Sequence, residues 1–159
     1  MNLSPKFGPL VAELLSGLTA LFLVYIHLHG LSFTGIEELP SGAIIPLAVL
    51  AWISGTFFDV IRNLFVEWFL DHIANEKVNW DFFFKGDRER LENLESYFWS
   101  FYLLDSDMAI AIFFATVLTI FIPHGFLDLR WRCGCVLVAL VFAWDAISLR
   151  KEIKGHIAL

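Results

Sequence analysis

Basic residues are scarce in this chain. Eleven Lys and Arg stand against 17 Asp and Glu, a formal net charge of -6. A chain that binds the phosphate backbone needs a basic face, so direct nucleic-acid binding is excluded. Cysteine is nearly absent. Cys133 and Cys135 form one C-x-C pair, too close for an easy disulfide and too few for a structural zinc site. They read as small packing residues at a helix start. The sequence also lacks H-E-x-x-H, G-x-S-x-G, P-loop and G-x-G-x-x-G patterns, so no metal, cofactor or nucleophile site is expected. No convincing cleavable signal peptide is present: one Lys precedes an apolar run as long as a full membrane span.

What fills the space is apolar. Hydrophobic residues make up 58% of the chain and charged residues 18%, with a mean hydropathy of +0.68. Soluble domains lie near 45–50% apolar, by typical usage of about that size. Seventeen Phe and six Trp in 159 residues point to lipid rather than to a water-facing shell, and the length allows one domain.

Four uncharged or nearly uncharged runs are each long enough to cross a bilayer as a helix of about 20 residues. The first expected span is 9–29, with Pro9 in its first turn and Tyr25, His27 and His29 at its far interface. The loop GLSFTGIEELPSG follows. The second span is 43–66, with Pro46 in its opening turn. A polar segment, 72–105, comes next. Within it Asp87 is expected to cap an amphipathic helix whose stripe is Leu91, Leu94, Phe98 and Phe101 and whose tail, Tyr97 to Leu104, enters the interface. The third span is 106–122, stopped by Pro123, and the fourth is 133–149, with Arg150 and Lys151 beginning a tail. The expected fold is therefore an all-α integral membrane protein: an antiparallel four-transmembrane-helix bundle in a single domain, 1–159, with a cytoplasmic amphipathic helix between spans two and three.

An even number of spans puts both termini and the 72–105 loop on one side. That side carries Lys6, Lys77, Lys85, Arg88, Arg90, Arg150, Lys151 and Lys154, and the other Arg130 and Arg132. The asymmetry predicts cytoplasmic termini in a cell membrane, the inner membrane in a bacterium.

The stretch GTFFDVIRNLFVEWFLDH, Gly55 to His72, concentrates polar residues at membrane depth. In a continuous helix Asp59, Asn63, Glu67 and Asp71 share one face, with Arg62 beside Asp59. Glu13, Asp107 and Asp145 fall at similar depth near the same ends of the other spans. The candidate polar membrane cluster is thus Glu13, Asp59, Arg62, Asn63, Glu67, Asp107 and Asp145. Arg62 reads as its one cation, paired with Asp59 or Asp145. Structural ion pairing is weighed against an acidic vestibule for cations, protons or a partner's basic group. His27, His29 and His124 could be set as zinc ligands but read better as interfacial histidines.

In size and topology the chain resembles small four-span bacterial proteins such as colicin-type immunity proteins and membrane components of phage-defence systems. That resemblance brings no residues across. The expected function is a non-enzymatic, oligomeric or partner-binding membrane component. Its expected partners are the lipid bilayer, copies of itself and a cytoplasmic protein at the 72–105 loop. The alternatives are a cation- or proton-conducting oligomeric pore, and a lipid hydrolase or transferase using Asp59, Glu67 or Asp145 as acid or base.

Overall fold

The computed structural model describes residues 7–30, 41–72, 99–122 and 125–157. Among these every regular element is helical: α1 (Phe7–His29), a 3-10 turn (Ser41–Ala43), α2 (Ile44–Ile61), a π-turn (Arg62–Val66), α3 (Glu67–His72), α4 (Ser100–Phe121) and α5 (Leu129–Ile157). The path through α2, the π-turn and α3 makes one continuous rod. Among the described residues four helices are long and apolar enough to cross a membrane: Gly8–His29, Ile44–Phe69, Ser100–Phe121 and Leu129–Lys154.

The ends of these helices follow from local chemistry. Pro9 and Pro46 both fall in first turns, where the missing N–H has no partner to lose. Gly30 closes α1 with φ 71, and its N–H donates to the Ile26 carbonyl at 2.8 Å. This is the left-handed C-terminal cap that glycine adopts without steric cost. Before Pro123, Ile122 turns extended (φ -94, ψ 107) and ends α4. Asp128 caps α5: its Oδ1 accepts the Trp131 N–H at 3.1 Å.

Several boundaries differ from the expected ones: the second helix runs on past 66 to His72, and the changes in the last two helices move charge into them. The fourth helix starts at Leu129, because Asp128 supplies a cap that the apolar run does not reveal, and it continues past Leu149 to Ile157. Arg150 is therefore inside it, 1% exposed, rather than in a tail. Cys133 lies a full turn into this helix and is exposed, not packed at its start. The third helix already includes Ser100, so Phe101 to Leu104 are continuous with it rather than the end of a separate amphipathic helix. The rest of that expected helix, from Asp87, lies outside the described residues.

α4 is the central element. It packs along α1 and α5, while α1 packs along α2. Among the described residues α5 packs substantially only against α4. Half of the apolar window of α4 is buried against only 11% of that of α5, so α5 is the helix with most surface to spare. One core cluster joins Ala12, Tyr102, Leu103, Ala146 and Ile153, and a second joins Ala20, Phe58, Ala111 and Ala115. Alanine recurs because small side chains let helix backbones approach closely. The approach is closest between α1 and α2. A Cβ on Gly17 would run into the Ala51 carbonyl oxygen, and one on Gly55 into the Glu13 carbonyl oxygen.

Gly55→Val is therefore expected to separate α1 from α2 and to destabilise the fold by more than the ~1–3 kcal/mol typical of overpacking, read as a lowered thermal unfolding midpoint in detergent, since backbone cannot rotate away. Gly134→Val, where nothing lies within 4 Å, should leave the midpoint unchanged.

Candidate functional site: two buried arginine clusters

The π-turn places the first cluster and divides it from the second. Its wide ring is closed by the Glu67 N–H donating to the Arg62 carbonyl, five residues back. In an unbroken α-helix residues five apart point to different sides. The wider turn brings Glu67 round, out of line with Asp59 and Asn63. The single acidic face expected from Asp59 to Asp71 is thus split, and the side chain of Asp71 lies outside the described residues.

Arg62, 4% exposed, is the hub of the first cluster. Its Nη1 donates to Asp107 Oδ1 at 3.0 Å, and its Nη2 to Asp59 Oδ1 and, at 3.3 Å, to Asn63 Oδ1. Asn63 Nδ2 returns a bond to Asp59 Oδ2 at 2.9 Å. Asp107 does not sit at a helix mouth. It lies two turns beyond Ser100 within α4, 1% exposed. Its Oδ2 and the Nε of Arg62 are buried without a hydrogen-bond partner among the described residues. Glu13 stands apart from Arg62. It accepts from Trp52 Nε1 at 2.8 Å and from Thr56 Oγ1 at 3.2 Å, close enough to act electrostatically on Asp107.

The second cluster has Arg150 as its cation. Arg150 Nη1 pairs with Glu67 Oε2 and donates to the Tyr102 hydroxyl at 3.0 Å, while that hydroxyl donates to Glu67 Oε1 at 2.6 Å. The guanidinium carbon also lies 5.8 Å from the centre of the Tyr102 ring, within cation–π range. Trp99 packs against the same tyrosine, 5.3 Å between ring centres. This closed triangle ties α3, α4 and α5 together.

Arg62 is therefore not the one cation among these acids, and Asp145 is not its partner. Asp145 is exposed on α5 and faces the buried Asp105 of α4. Neither of these carboxyls has an ion pair among the described residues. Sequence reasoning missed Arg150, Tyr102 and Asp105. A signal for Arg150 was available: Ala139, Ala143, Ala146, Arg150 and Ile153 recur at three- and four-residue steps, one stripe running past the apparent end of the span.

The opposite end of the helices carries fixing contacts. His27 is fully buried rather than interfacial. Its Nε2 donates to the Ile122 carbonyl at 3.1 Å, and its own carbonyl accepts the Phe126 N–H at 2.7 Å. His29 instead packs against Tyr25, 4.9 Å between ring centres, and His124 lies outside the described residues. Arg132 Nη2 donates to the Thr119 carbonyl at 2.8 Å, covering an otherwise open acceptor in the last turn of α4. Among the described residues no three His, Cys, Asp or Glu side chains gather in a way that could hold a metal ion. Comparison of the chain with protein-family models, curated proteins and solved structures gives no match.

Removing either hub leaves buried carboxylates without a counter-charge. Arg62→Ala and Arg150→Ala should each destabilise by ~3–5 kcal/mol, read as thermal unfolding in detergent. Asp107→Asn is expected to cost more than Asp59→Asn, because Asp107 is the deeper partner. Arg62→Ala/Asp107→Asn should be little worse than Arg62→Ala alone.

Proposed function

We propose that the chain is a multi-pass protein of the cell membrane with four antiparallel transmembrane helices, its termini and the 72–105 segment on the cytoplasmic side. In this reading it acts without catalysis, as a component that docks against a membrane partner or a second copy of itself. The four apolar helices support insertion, and the uneven distribution of Lys and Arg supports the orientation.

The observation that carries the docking role is Asp145. It is an exposed carboxyl on the least buried helix, beside a second acid, Asp105, with no cation paired to either among the described residues. Its place on the helix is a little over one turn before Arg150, inside the apolar window. Its carboxyl meets that of Asp105 in a side-chain hydrogen bond, and two acids at that depth with no counter-charge are costly, so such groups usually meet a further partner. A basic or hydrogen-bond-donating side chain on a partner helix is the complement. Glu67 and Asp59, considered above as acid or base, are each engaged by an arginine, which favours binding over hydrolysis or transfer.

One observation favours a second reading. The unpartnered Oδ2 of Asp107, with Asp59 and Glu13 in its field, suits a site that takes up a proton or cation in a conducting oligomer.

In mild detergent the protein is expected to run as an assembly larger than its 18.2 kDa chain. Asp145→Lys should break that assembly while leaving the stability of the chain within about 0.5 kcal/mol of the parent, as for an exposed position. A monodisperse monomer that turns over a lipid would overturn the proposal. If the second reading is right, Asp107→Asn alters ion dependence while assembly persists. A reporter fused after Leu159 should be active in the cytoplasm only.

A further inference from the structure

The rod of α2, the π-turn and α3 does not close onto α5. Between them runs a groove of about 730 Å³, open on one side and floored by α4. Phe65 and Phe69 form one wall, Ile110 and Phe113 the floor, and Ala143 and Ile147 the other wall. Ser106 is its one hydroxyl, and its Oγ is turned onto its own helix, donating to the Tyr102 and Leu103 carbonyls at 2.7 and 3.1 Å. Among the described residues that line the groove, Trp68, with its indole N–H, is the one other side chain able to hydrogen-bond, and the rest are apolar. Its volume falls in the range of ligand sites, about 300–1,000 Å³.

The chemistry changes at one end. On α5 the groove stripe continues from Ile147 to Lys151, four residues on, and to Lys154, seven on. Lys151 is exposed, and the acids Asp145 and Glu152 belong to the stripe on the far side of the helix. Across the groove stands Trp68, which is 55% exposed. Glu67 pairs with Arg150, so Trp68 and Lys151, their chain neighbours, belong to the same end of the groove. An indole and an ammonium at one end of a mainly apolar trough match the headgroup boundary of a bilayer.

We infer that this groove holds the acyl portion of an anionic phospholipid, with the phosphate at Lys151 and the glycerol level at Trp68. The inference rests on the membrane setting proposed above. The apolar lining selects hydrocarbon over a polar ligand, and the lysine at its end selects a negative headgroup over a zwitterionic one. A second copy of the chain is the competing occupant, and the experiment separates the two.

The protein is reconstituted in nanodiscs of equal phosphatidylcholine and phosphatidylglycerol, extracted in mild detergent and weighed by native mass spectrometry. The parent should retain one phospholipid per chain, enriched at least several-fold in phosphatidylglycerol. Lys151→Ala should keep a lipid but lose the enrichment. Ala143→Phe and Ile110→Trp, which fill the groove from different sides, should each lose the lipid. Either variant suffices if its helical signal and unfolding midpoint match the parent. Loss of lipid from neither filled variant, an unchanged headgroup preference in Lys151→Ala, or a lipid-free dimer of the parent overturns the inference. Carbonate washing of membranes distinguishes the failures. A chain that stays in the pellet yet retains no lipid overturns the lipid site alone, and a chain released to the supernatant overturns the membrane reading as well.

Discussion

A guanidinium group buried among apolar helices must be met by carboxylates on neighbouring helices, and this requirement organises one end of the molecule. Arg62 draws Asp107 of α4 toward the second helix, and Arg150 draws Glu67 and Tyr102 together from two other elements. Apolar packing alone specifies these contacts loosely, because alanine and phenylalanine faces slide past one another at little cost. Ion pairs with fixed geometry do not slide. Arginine suits this task because its planar fork addresses several acceptors at once. Arg62 reaches three side chains with two nitrogens.

The π-turn is the device that allows two such hubs on so short a rod. With a regular helix, Glu67 would line up with Asp59 and Asn63, and four polar side chains would crowd a single face. The extra residue in the turn sends Glu67 to α5 and leaves Asp59 and Asn63 for Arg62. One rod thereby serves two neighbours. It also leaves a gap between the rod and α5, because the contact at Glu67 and Arg150 bridges that gap at one end only.

Much of this was legible in the residues. The four helices, the first-turn prolines and the Asp59–Arg62 pair all follow from composition, spacing and side-chain chemistry. Helix ends were less legible. An uncharged run marks where charge stops, not where a helix does, so Asp128 as a cap and Arg150 as an interior residue both fell beyond the boundary the run suggested. Asp107 was placed at a helix mouth for the same reason, since the aromatic turns from Ser100 to Leu104 looked like the end of a preceding helix. The split of the acidic face was not legible at all. No residue between Arg62 and Val66 announces a π-turn, which arises from what Arg62 and Glu67 gain on different helices.

The contact at Gly17 and Gly55 has a bearing on motion. Where two backbones meet with no side chain between them, there is nothing to change rotamer and no room to shift, so α1 and α2 behave as one body. α4 is gripped along α1 and belongs to that body too. α5 is different, being held by α4 along its length and by the Arg150 triangle near one end. α5 is thus the least restrained of the four helices, set against three that are gripped together. What fixes its distance from the rod is a tyrosine, a glutamate and an arginine, and the width of the apolar trough is set by that contact.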